Sequence, residues 1–290
     1  MFRRKQFRLR LPSRKLLLGE RTLIMGVLNV TPDSFSDGGA FLDSQAAVAR
    51  ALELEREGAD ILDIGGESTR PSAVPVSAEE ELSRLLPLFR ALEGKLRIPI
   101  SVDTQKAAVA EAALAAGAEI VNDISALRSD ARLAEVARRA RAPIILMHMR
   151  GTPRTMQRGP FARDVIRDVL AGLREAVARA RRAGLAKTQL LLDPGIGFGK
   201  SHEQNFEILA RLQELARLGC PLVIGTSRKG FLGHAMARPG ESPVPSSERL
   251  LGTAATVTAS ILGGAHIVRV HDVAEIARVA RVADAIRAPI

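Results

Sequence analysis

The stretch IPISVDTQKAAVAEAALAAGAEIVND (98–123) holds two β-rich runs with an alanine-rich segment of helical spacing between them. It predicts a strand at 98–103, a helix at roughly 105–117 and a second strand at 119–123. Gly117 follows the helical segment in the position of a glycine that ends a helix. A strand, a helix and a strand in this order are the repeating unit of a parallel sheet covered by helices.

The same alternation extends along the chain in both directions from this unit. Eight strands are predicted, at 22–29, 60–65, 98–103, 119–123, 143–149, 189–195, 221–227 and 265–271. Eight helices are predicted, at roughly 44–58, 77–93, 105–117, 130–141, 160–184, 203–219, 246–263 and 273–287. This alternation predicts the α/β class and a single-domain (β/α)8 TIM barrel. A doubly wound sheet is the alternative, but it usually has fewer strands and a glycine-rich first turn.

Residues 1–21 are interpreted as a short β extension that precedes a barrel spanning 22–290. Within the extension, FRLRL (7–11) alternates apolar and basic residues, which predicts one arm of a hairpin turning near 12–15. The basic residues scattered over 8–15 interrupt any apolar core of a secretory signal, so we do not interpret this segment as a signal peptide.

The composition is that of a globular protein, with 46% hydrophobic and 26% charged residues among 290. The single cysteine, Cys220, excludes an intramolecular disulfide and favours a cytoplasmic protein. No apolar run reaches ~18 residues, so neither a membrane span nor a membrane partner is expected.

The net charge of +10 makes a nucleic-acid partner an alternative to consider. Most of the excess is arginine in predicted helices, where glutamate is interspersed, as in LAEVARRARA (133–142). Only 3% of the residues are aromatic and none is Trp or Tyr, which argues against a base-stacking surface. We therefore expect no nucleic-acid partner, and an anionic small-molecule substrate instead.

Polar residues collect after the predicted strands, at their carboxyl ends. In a barrel these ends meet at one mouth, where functional loops lie, whereas the opposite loops, such as REGAD (56–60), carry little chemistry. Because side chains alternate along a strand, several polar residues are assigned to the interior of this mouth. They are Asp103, Asn122, Asp193, Arg269 and His271, with Lys229 in the loop above them.

These side chains indicate two kinds of ligand group. Two carboxylates and an amide match the hydrogen-bonding edge of a flat heterocycle with an amino-amidine group. Arg269, His271 and Asn29 suit a phosphate or a metal-bound pyrophosphate at the rim. The backbone N–H groups of SRKG (227–230) would bind an anion too if they open a helix.

Three familiar site patterns are absent from the sequence. No His-x3-His or Cys-x2-Cys spacing exists, so a zinc site is not expected. GIGFGKS (195–201) is not a P-loop, because Pro194 stands where glycine is needed, and Lys200 replaces the third glycine of a dinucleotide fingerprint. The glycines are interpreted instead as letting the backbone bend around a ligand, with Phe198 as a lid or stacking face.

The segments that follow the strands, taken together, resemble the dihydropteroate synthase family of folate biosynthesis, which sulfonamides target. The matching segments are MGVLNVTPDSFSDGG (25–39), DIGGESTRP (63–71), SVDT (101–104), VND (121–123), LMHMRGTP (146–153), DPGIGFGK (193–200), GTSRKGF (225–231) and IVRVHDV (267–273). The resemblance implies a transferase that condenses 6-hydroxymethyl-7,8-dihydropterin pyrophosphate with p-aminobenzoate. It also implies Mg²⁺ as the cofactor and a homodimer.

The resemblance assigns a role to each matching residue. The pterin would be held by Asp103, Asn122, Met147, Asp193 and Lys229. Pyrophosphate would be bound by Asn29, Arg70, Arg269 and His271, with Asn29 also at the metal. The p-aminobenzoate pocket would comprise Phe35, Thr69, Pro71, Phe198, Lys229 and Gly230.

The catalytic set implied is Asp103, Asp193, Lys229, Arg269 and His271. In the family, pyrophosphate leaves before the amine attacks, so positive charge develops on the pterin methylene. The two aspartates would oppose that charge, while the basic residues and Mg²⁺ neutralise the departing anion.

Two other enzyme classes share parts of this pattern. A pterin-binding methyltransferase barrel shares the fold and the carboxylates, but it has no pyrophosphate to release and does not require both SRKG (227–230) and RVHD (269–272). A Schiff-base aldolase would use Lys229 as its nucleophile, although a hydrogen-bonding role for this lysine is simpler.

Overall fold

Eight parallel strands form the centre of the molecule in the computed structural model, which describes residues 4–30, 39–68 and 73–287. The strands are β3 (Leu23–Asn29), β4 (Ile61–Gly65), β5 (Ile100–Asp103), β6 (Ala118–Asp123), β7 (Ile144–Met147), β8 (Leu190–Asp193), β9 (Val223–Ile224) and β10 (Ile267–Val270). Nearly every residue in them is buried, as expected for parallel strands that are covered on both faces.

The strand order closes the sheet into a barrel. The hydrogen-bonded order is β8-β7-β6-β5-β4-β3-β10-β9, and a parallel bridge between Leu192 and Leu222 joins the two ends of this order. The (β/α)8 barrel predicted from the sequence is therefore confirmed.

Nine α-helices lie among the described residues. They are α1 (Gly39–Glu57), α2 (Ala78–Leu92), α3 (Ala107–Ala115), α4 (Arg132–Arg139), α5 (Val165–Arg182), α6 (His202–Ala210), α7 (Gly230–Met236), α8 (Leu250–Leu262) and α9 (Val273–Arg287). The short helix α7 was not predicted, because seven residues with two glycines give no helical period to read.

Several predicted elements differ from the structure in extent. The helix predicted at 160–184 begins only at Val165, because Asp164 caps it by accepting from the backbone N–H of Arg167 at 2.9 Å. The helix predicted at 203–219 ends at Ala210 and continues as a 3₁₀ segment, Leu212–Leu218. The strand predicted at 221–227 is only two residues long, β9.

Apolar side chains fill the interior of the barrel in its amino-terminal half. This cluster comprises Leu23, Met25, Ile61, Ile120, Ile145, Leu191, Val223 and Ile267, together with Leu9, Leu11 and Leu18 from the segment that precedes the barrel. The interior at this end is therefore a packed core, and the charged interior side chains lie toward the carboxyl ends of the strands.

The segment that precedes the barrel forms an antiparallel hairpin of β1 (Phe7–Arg10) and β2 (Lys15–Leu18), as predicted. Polar contacts fix this hairpin across the amino-terminal end: Glu119 accepts from the backbone N–H of Ser13 at 3.0 Å, and the buried Arg4 pairs with Asp284 at 3.1 Å. The hairpin thus closes the barrel from below. The domain boundary at residue 21 remains a prediction.

No described helix combines the length and the apolar character that crossing a membrane requires.

Candidate active site

The registers of the parallel strands place the predicted polar residues side by side at the carboxyl end of the barrel. Gly65 pairs with both Asn29 and Asp103, Asp103 pairs with Asn122, and Met147 pairs with Asp193. Neighbouring strands lie ~4.8 Å apart, so these residues form one ring. The interior faces assigned from alternation are therefore the observed ones.

Arg269 links this ring to a second interior carboxylate. Its Nε lies 2.6 Å from Asp63 Oδ2, and its Nη2 lies 2.8 Å from Asp103 Oδ2. Asp63 Oδ2 also accepts from Asn122 Nδ2 at 3.1 Å. The Arg269 side chain is 23% exposed, so part of it is accessible to solvent.

Asp63 is a site residue that the sequence-based prediction missed. It is fully buried, and its Oδ1 has no hydrogen-bond partner within the described part of the chain. The signal was available: in DILDIG (60–65), alternation puts Asp63 on the same face as Gly65, and hence inside the barrel. The prediction considered only the loop that follows this strand.

The charges in the ring perturb one another strongly. Burial raises the pKa of Asp103 to about 7, against the attraction of Arg269. Burial also raises the pKa of Asp193, against the attraction of Lys229. Burial opposes the charge on Arg269, but Asp63 and Asp103 outweigh it and raise the pKa of Arg269. The guanidinium is therefore a permanent cation at the base of the mouth.

Lys229 approaches the ring from the loop that follows β9. Its ammonium donates to the backbone carbonyl of Ile196 and lies 4.7 Å from the centroid of the Phe198 ring. Burial lowers the pKa of Lys229 to about 8, against the attraction of Asp193. The lysine and Phe198 thus form a paired cationic and aromatic surface. Gly230 is the first residue of α7 and is exposed.

His271 lies just beyond the end of β10 and is held by Ser227. Its backbone N–H donates to Ser227 Oγ at 3.2 Å, and its Nδ1 lies 3.0 Å from the same oxygen. Arg228 pairs with Asp272, with Nε at 3.0 Å from Oδ2. These contacts fasten the loop after β9 to the end of β10, so His271 and Lys229 are fixed relative to Arg269.

The glycine-rich loop DPGIGFGK (193–200) follows β8. Gly195, Gly197 and Gly199 have φ of +67°, +84° and +71°, a region that other residues rarely adopt. A Cβ at Gly195 would overlap the carbonyl oxygen of His148. The bend that the glycines predicted is thus present, and Phe198 packs against a cluster of Met147, Met149, Met156 and Ile124.

Four of the predicted site residues lie outside the described residues, namely Phe35, Thr69, Arg70 and Pro71. The remaining ones lie at the same end of the barrel. No group of three His, Cys, Asp or Glu side chains suited to a metal ion is found within 4–30, 39–68 and 73–287. Asn29, the residue predicted at the metal, is half-buried, and its Oδ1 points toward Gly65 at the ring.

A cavity of about 510 Å³ opens at the same end, beside the ring. Its walls come from the segments after β4, β5, β6 and β7 and include Glu67, Gln105, Arg128 and Met149. Asp103, Asp193 and Lys229 do not line it, so it adjoins the candidate site without containing it.

Comparison with known proteins agrees with this geometry. The family model described as pterin binding enzyme matches residues 25–271. A dihydropteroate synthase from Synechocystis sp. is 49% identical over 268 residues, which cover 92% of this chain and 91% of that protein.

Two solved structures of similar proteins have bound small molecules. The dihydropteroate synthase of Xanthomonas albilineans with 4-aminobenzoic acid is 42% identical, with a TM-score of 0.89 over 99% of this chain and 100% of that chain. The Yersinia pestis dihydropteroate synthase in complex with a sulfonamide drug is 40% identical, with a TM-score of 0.89 over 97% of this chain and 99% of that chain.

Proposed function

This chain belongs to the pterin-binding enzymes and, within them, to the dihydropteroate synthases, and we propose that its barrel mouth joins 6-hydroxymethyl-7,8-dihydropterin pyrophosphate to p-aminobenzoate. The C–O bond to pyrophosphate breaks, and a C–N bond to the amine forms. The products are 7,8-dihydropteroate and pyrophosphate, so the enzyme is a transferase. The observation that carries the proposal is the ring in which Arg269 joins Asp63 and Asp103 beside Asn122 and Asp193.

The pterin is proposed to lie on this ring. Asp103, Asn122 and Asp193 present carboxylate and amide groups to the amino-amidine edge of the heterocycle. Met147, which is 4% exposed, supplies an apolar contact for the flat ring, and Lys229 reaches it from above. The apolar core below the ring fixes the depth at which the heterocycle stops.

Charge stabilisation is proposed to drive the bond-breaking step. When pyrophosphate leaves, positive charge appears on the pterin methylene and negative charge on the leaving group. Asp103 and Asp193 oppose the first, and Arg269 and His271 neutralise the second. These groups are fixed before the reaction by their mutual contacts, so little reorganisation is needed when the charge moves. The amine nitrogen of p-aminobenzoate then attacks the methylene carbon and loses a proton.

The p-aminobenzoate is proposed to bind above the pterin, against Phe198, Lys229 and Gly230. The ammonium of Lys229 suits the carboxylate or the ring edge of this substrate, and Phe198 supplies a flat apolar wall. Phe35, Thr69 and Pro71 complete the pocket in this proposal, and Arg70 contributes to the pyrophosphate site. The solved structure of the Xanthomonas albilineans enzyme with 4-aminobenzoic acid supports p-aminobenzoate as a substrate of this chain.

Mg²⁺ is proposed as the cofactor, bound largely through the pyrophosphate of the substrate. Mg²⁺ commonly takes one or two protein oxygens and completes its shell with phosphates and water. The side-chain oxygen of Asn29 at the ring fits that requirement. When bound, the ion would neutralise charge on the leaving group.

We propose a homodimer in which two barrels associate through α8 and α9. Leu251, Val282 and Ile286 on these helices are 76%, 62% and 48% exposed, which is unusual for large apolar side chains on adjacent helices. Leu251→Asp should shift the protein to monomers in light-scattering measurements; an unchanged mass would contradict the α8 contact.

We also propose a cytoplasmic location, because Cys220 is the single cysteine and its thiol is free and buried. Cell fractionation tests this. Because the Yersinia pestis relative was solved in complex with a sulfonamide drug, we propose that sulfonamides also bind this chain, at its p-aminobenzoate pocket.

The reaction itself is tested by incubating the protein with pterin pyrophosphate, Mg²⁺ and p-aminobenzoate. Equal amounts of pyrophosphate and dihydropteroate should form, and omission of p-aminobenzoate should abolish dihydropteroate. Release of pyrophosphate without a C–N product would contradict the proposed condensation. Arg269→Met, which leaves two buried carboxylates without their cation, should lower kcat by at least about a hundredfold.

A further inference from the structure

Lys200, the last residue of the glycine-rich loop, has a fully enclosed ammonium group. Lys200 as a whole is only 3% exposed. Nζ lies 3.2 Å from the carbonyl oxygen of His148, 3.0 Å from His148 Nδ1 and 3.0 Å from the carbonyl oxygen of Phe198. An ammonium has three N–H groups, and here each has one acceptor.

His148 extends these contacts to the helix that follows β7. Burial, and then the charge of Lys200, lower the pKa of His148 to about 4, so the imidazole is neutral at pH 7 and Nδ1 accepts from Lys200. Nε2 then carries the proton and lies 3.4 Å from Asp168 Oδ2 on α5. Asp168 Oδ1 pairs with Arg150 at 2.9 Å. Lys200 therefore lies, through His148, next to a side chain of α5, although no hydrogen bond joins His148 to Asp168 Oδ2 in the described part of the chain.

The loop lies against the segment after β7 with no room for side chains between them. Gly195 abuts the carbonyl of His148, and a Cβ at Gly199 would lie 2.7 Å from the backbone oxygen of Arg150. Two glycine contacts bring the backbones together, and the Lys200 ammonium supplies the polar contacts that hold them. Burying this cation costs desolvation energy, which the three acceptors offset only in part, because burial lowers the pKa of Lys200 to about 7.

The loop that Lys200 holds carries the two groups that contact the Lys229 ammonium. The carbonyl of Ile196 accepts from the Lys229 ammonium, and the Phe198 ring lies 4.7 Å from it. Phe198 is connected to Lys200 through its own carbonyl oxygen. Movement of the loop would therefore displace both the aromatic wall and the ammonium on the p-aminobenzoate side of the site.

We propose that Lys200 is a positioning residue, which docks the loop 193–200 onto His148 and so fixes the Phe198 ring and the Lys229 ammonium for p-aminobenzoate. The inference rests on the proposed function, since it names the substrate whose pocket is affected. Lys200 acts through Phe198 and Lys229. The strand residues on the pterin side, Asp103 and Asn122, are positioned independently of it by their own registers.

Lys200→Met tests the proposal, because methionine fills similar space and donates no hydrogen bond. We expect the KM for p-aminobenzoate to rise by about tenfold or more and the KM for pterin pyrophosphate to rise by less, because Lys229 is proposed to contact both reactants whereas Phe198 lines only the p-aminobenzoate pocket. Lys200→Gln, which restores one amide donor, should recover part of the p-aminobenzoate KM.

Leu9→Ala is the matched control for lost stability. Leu9 is 1% exposed in the hairpin at the opposite end of the barrel, so its truncation should lower the melting temperature without altering either KM. If Lys200→Met changes stability as Leu9→Ala does and leaves the KM for p-aminobenzoate unchanged, Lys200 is only structural and the proposal is wrong.

A second measurement does not depend on the reaction. The chain contains no Trp and no Tyr, so Phe198→Trp introduces a single emitter on the loop. In this background, Lys200→Met should shift the emission to the red and lower its anisotropy, whereas Leu9→Ala should change neither. Unchanged emission with Lys200→Met and with Lys200→Gln would overturn the positioning role. Absence of dihydropteroate formation by the wild-type protein would instead contradict the proposed function.

Discussion

The balance of charge at the base of the mouth depends on a few buried side chains. Asp63 and Asp103 both pair with Arg269, so two carboxyl groups share one cation. Asp63 has an oxygen without a partner in the described segments, so its hydrogen-bonding capacity is only partly satisfied by the protein. Carboxyl groups in excess of the cation suit a site in which positive charge develops on a substrate.

Asp63→Asn should therefore affect both stability and catalysis. Removing one carboxylate from the buried pair should lower the free energy of unfolding by about 3 kcal/mol, and misplacement of Arg269 should lower kcat by about tenfold. Asp60→Asn is the control, because Asp60 pairs at 2.5 Å with Arg21, whose side chain is 62% exposed. That pair should contribute only about 0–1 kcal/mol. Equal effects of the two substitutions, in denaturation and in steady-state assays, would contradict this assignment.

His266 predicts how the stability of the protein depends on pH. The backbone N–H of Leu222 donates to its Nδ1 at 3.1 Å, and its Nε2 lies 2.9 Å from the carbonyl oxygen of Lys5. Burial lowers the pKa of His266 to about 4 from the ordinary 6.5. Between these values the unfolded chain takes up a proton that the folded chain does not, so the free energy of unfolding falls as the pH falls from 6.5 to 4.

His266→Gln removes this contribution and leaves the similar one of His148 in place. The difference in unfolding free energy between wild type and variant should thus shrink as the pH is lowered through that window, and should stay constant above it. Urea denaturation at several pH values measures it. Parallel pH profiles for the two proteins would show that His266 is not the neutral buried group described here.

At the scale of elements, the alternation of side chains along strands predicted the position of site residues more accurately than helical periodicity predicted the ends of helices. It placed Asp103, Asn122, Asp193 and Arg269 inside one mouth, because a strand has only two faces and one of them must be the interior. It missed Asp63 only because the strand was not examined in the same way. The roles of these residues remain predictions.

Contacts between loops could not be predicted from local patterns. His148 contacts Lys200, which is 52 residues away in sequence, and no spacing rule connects the two. The helix α7 was missed for a different reason, because seven residues with two glycines show no helical period. Element boundaries and loop contacts are set by packing, which periodicity does not report.

Gly199, which lies in a bent loop, and Gly230, which begins α7, should respond oppositely to substitution by alanine. Gly199→Ala forces a side chain into a φ of +71° and against Arg150, so it should destabilise the protein by more than about 1 kcal/mol. A Cβ at Gly230 meets nothing within 4 Å, so Gly230→Ala should leave stability unchanged or raise it by up to about 1 kcal/mol. Thermal denaturation compares them. A larger loss for Gly230→Ala would contradict the described start of α7.

At the scale of the whole molecule, the barrel separates stability from chemistry. The apolar cluster and the hairpin occupy the amino-terminal half, and the charged groups occupy the carboxyl-terminal half. The division predicts that changes in the lower half affect folding far more than turnover.

Leu9→Ala should accordingly lower the free energy of unfolding by about 2–5 kcal/mol, since it opens a cavity in the packed lower core. The kcat and both KM values should be unchanged at temperatures where the variant is folded. Chemical denaturation and steady-state assays check the two halves of this expectation. A loss of turnover in the folded variant would show that the hairpin influences the distant mouth.

The apolar floor has a consequence for the sequence of events in a catalytic cycle. Among the described residues, packed leucine and isoleucine side chains lie below the ring. A reactant bound on the ring must therefore enter and leave through the mouth of the barrel. The two reactants are proposed to stack with the heterocycle innermost, so the heterocycle must bind before p-aminobenzoate. If p-aminobenzoate bound first, it would block access to the deeper pterin site. The condensation product must leave through the mouth before the next heterocycle can bind.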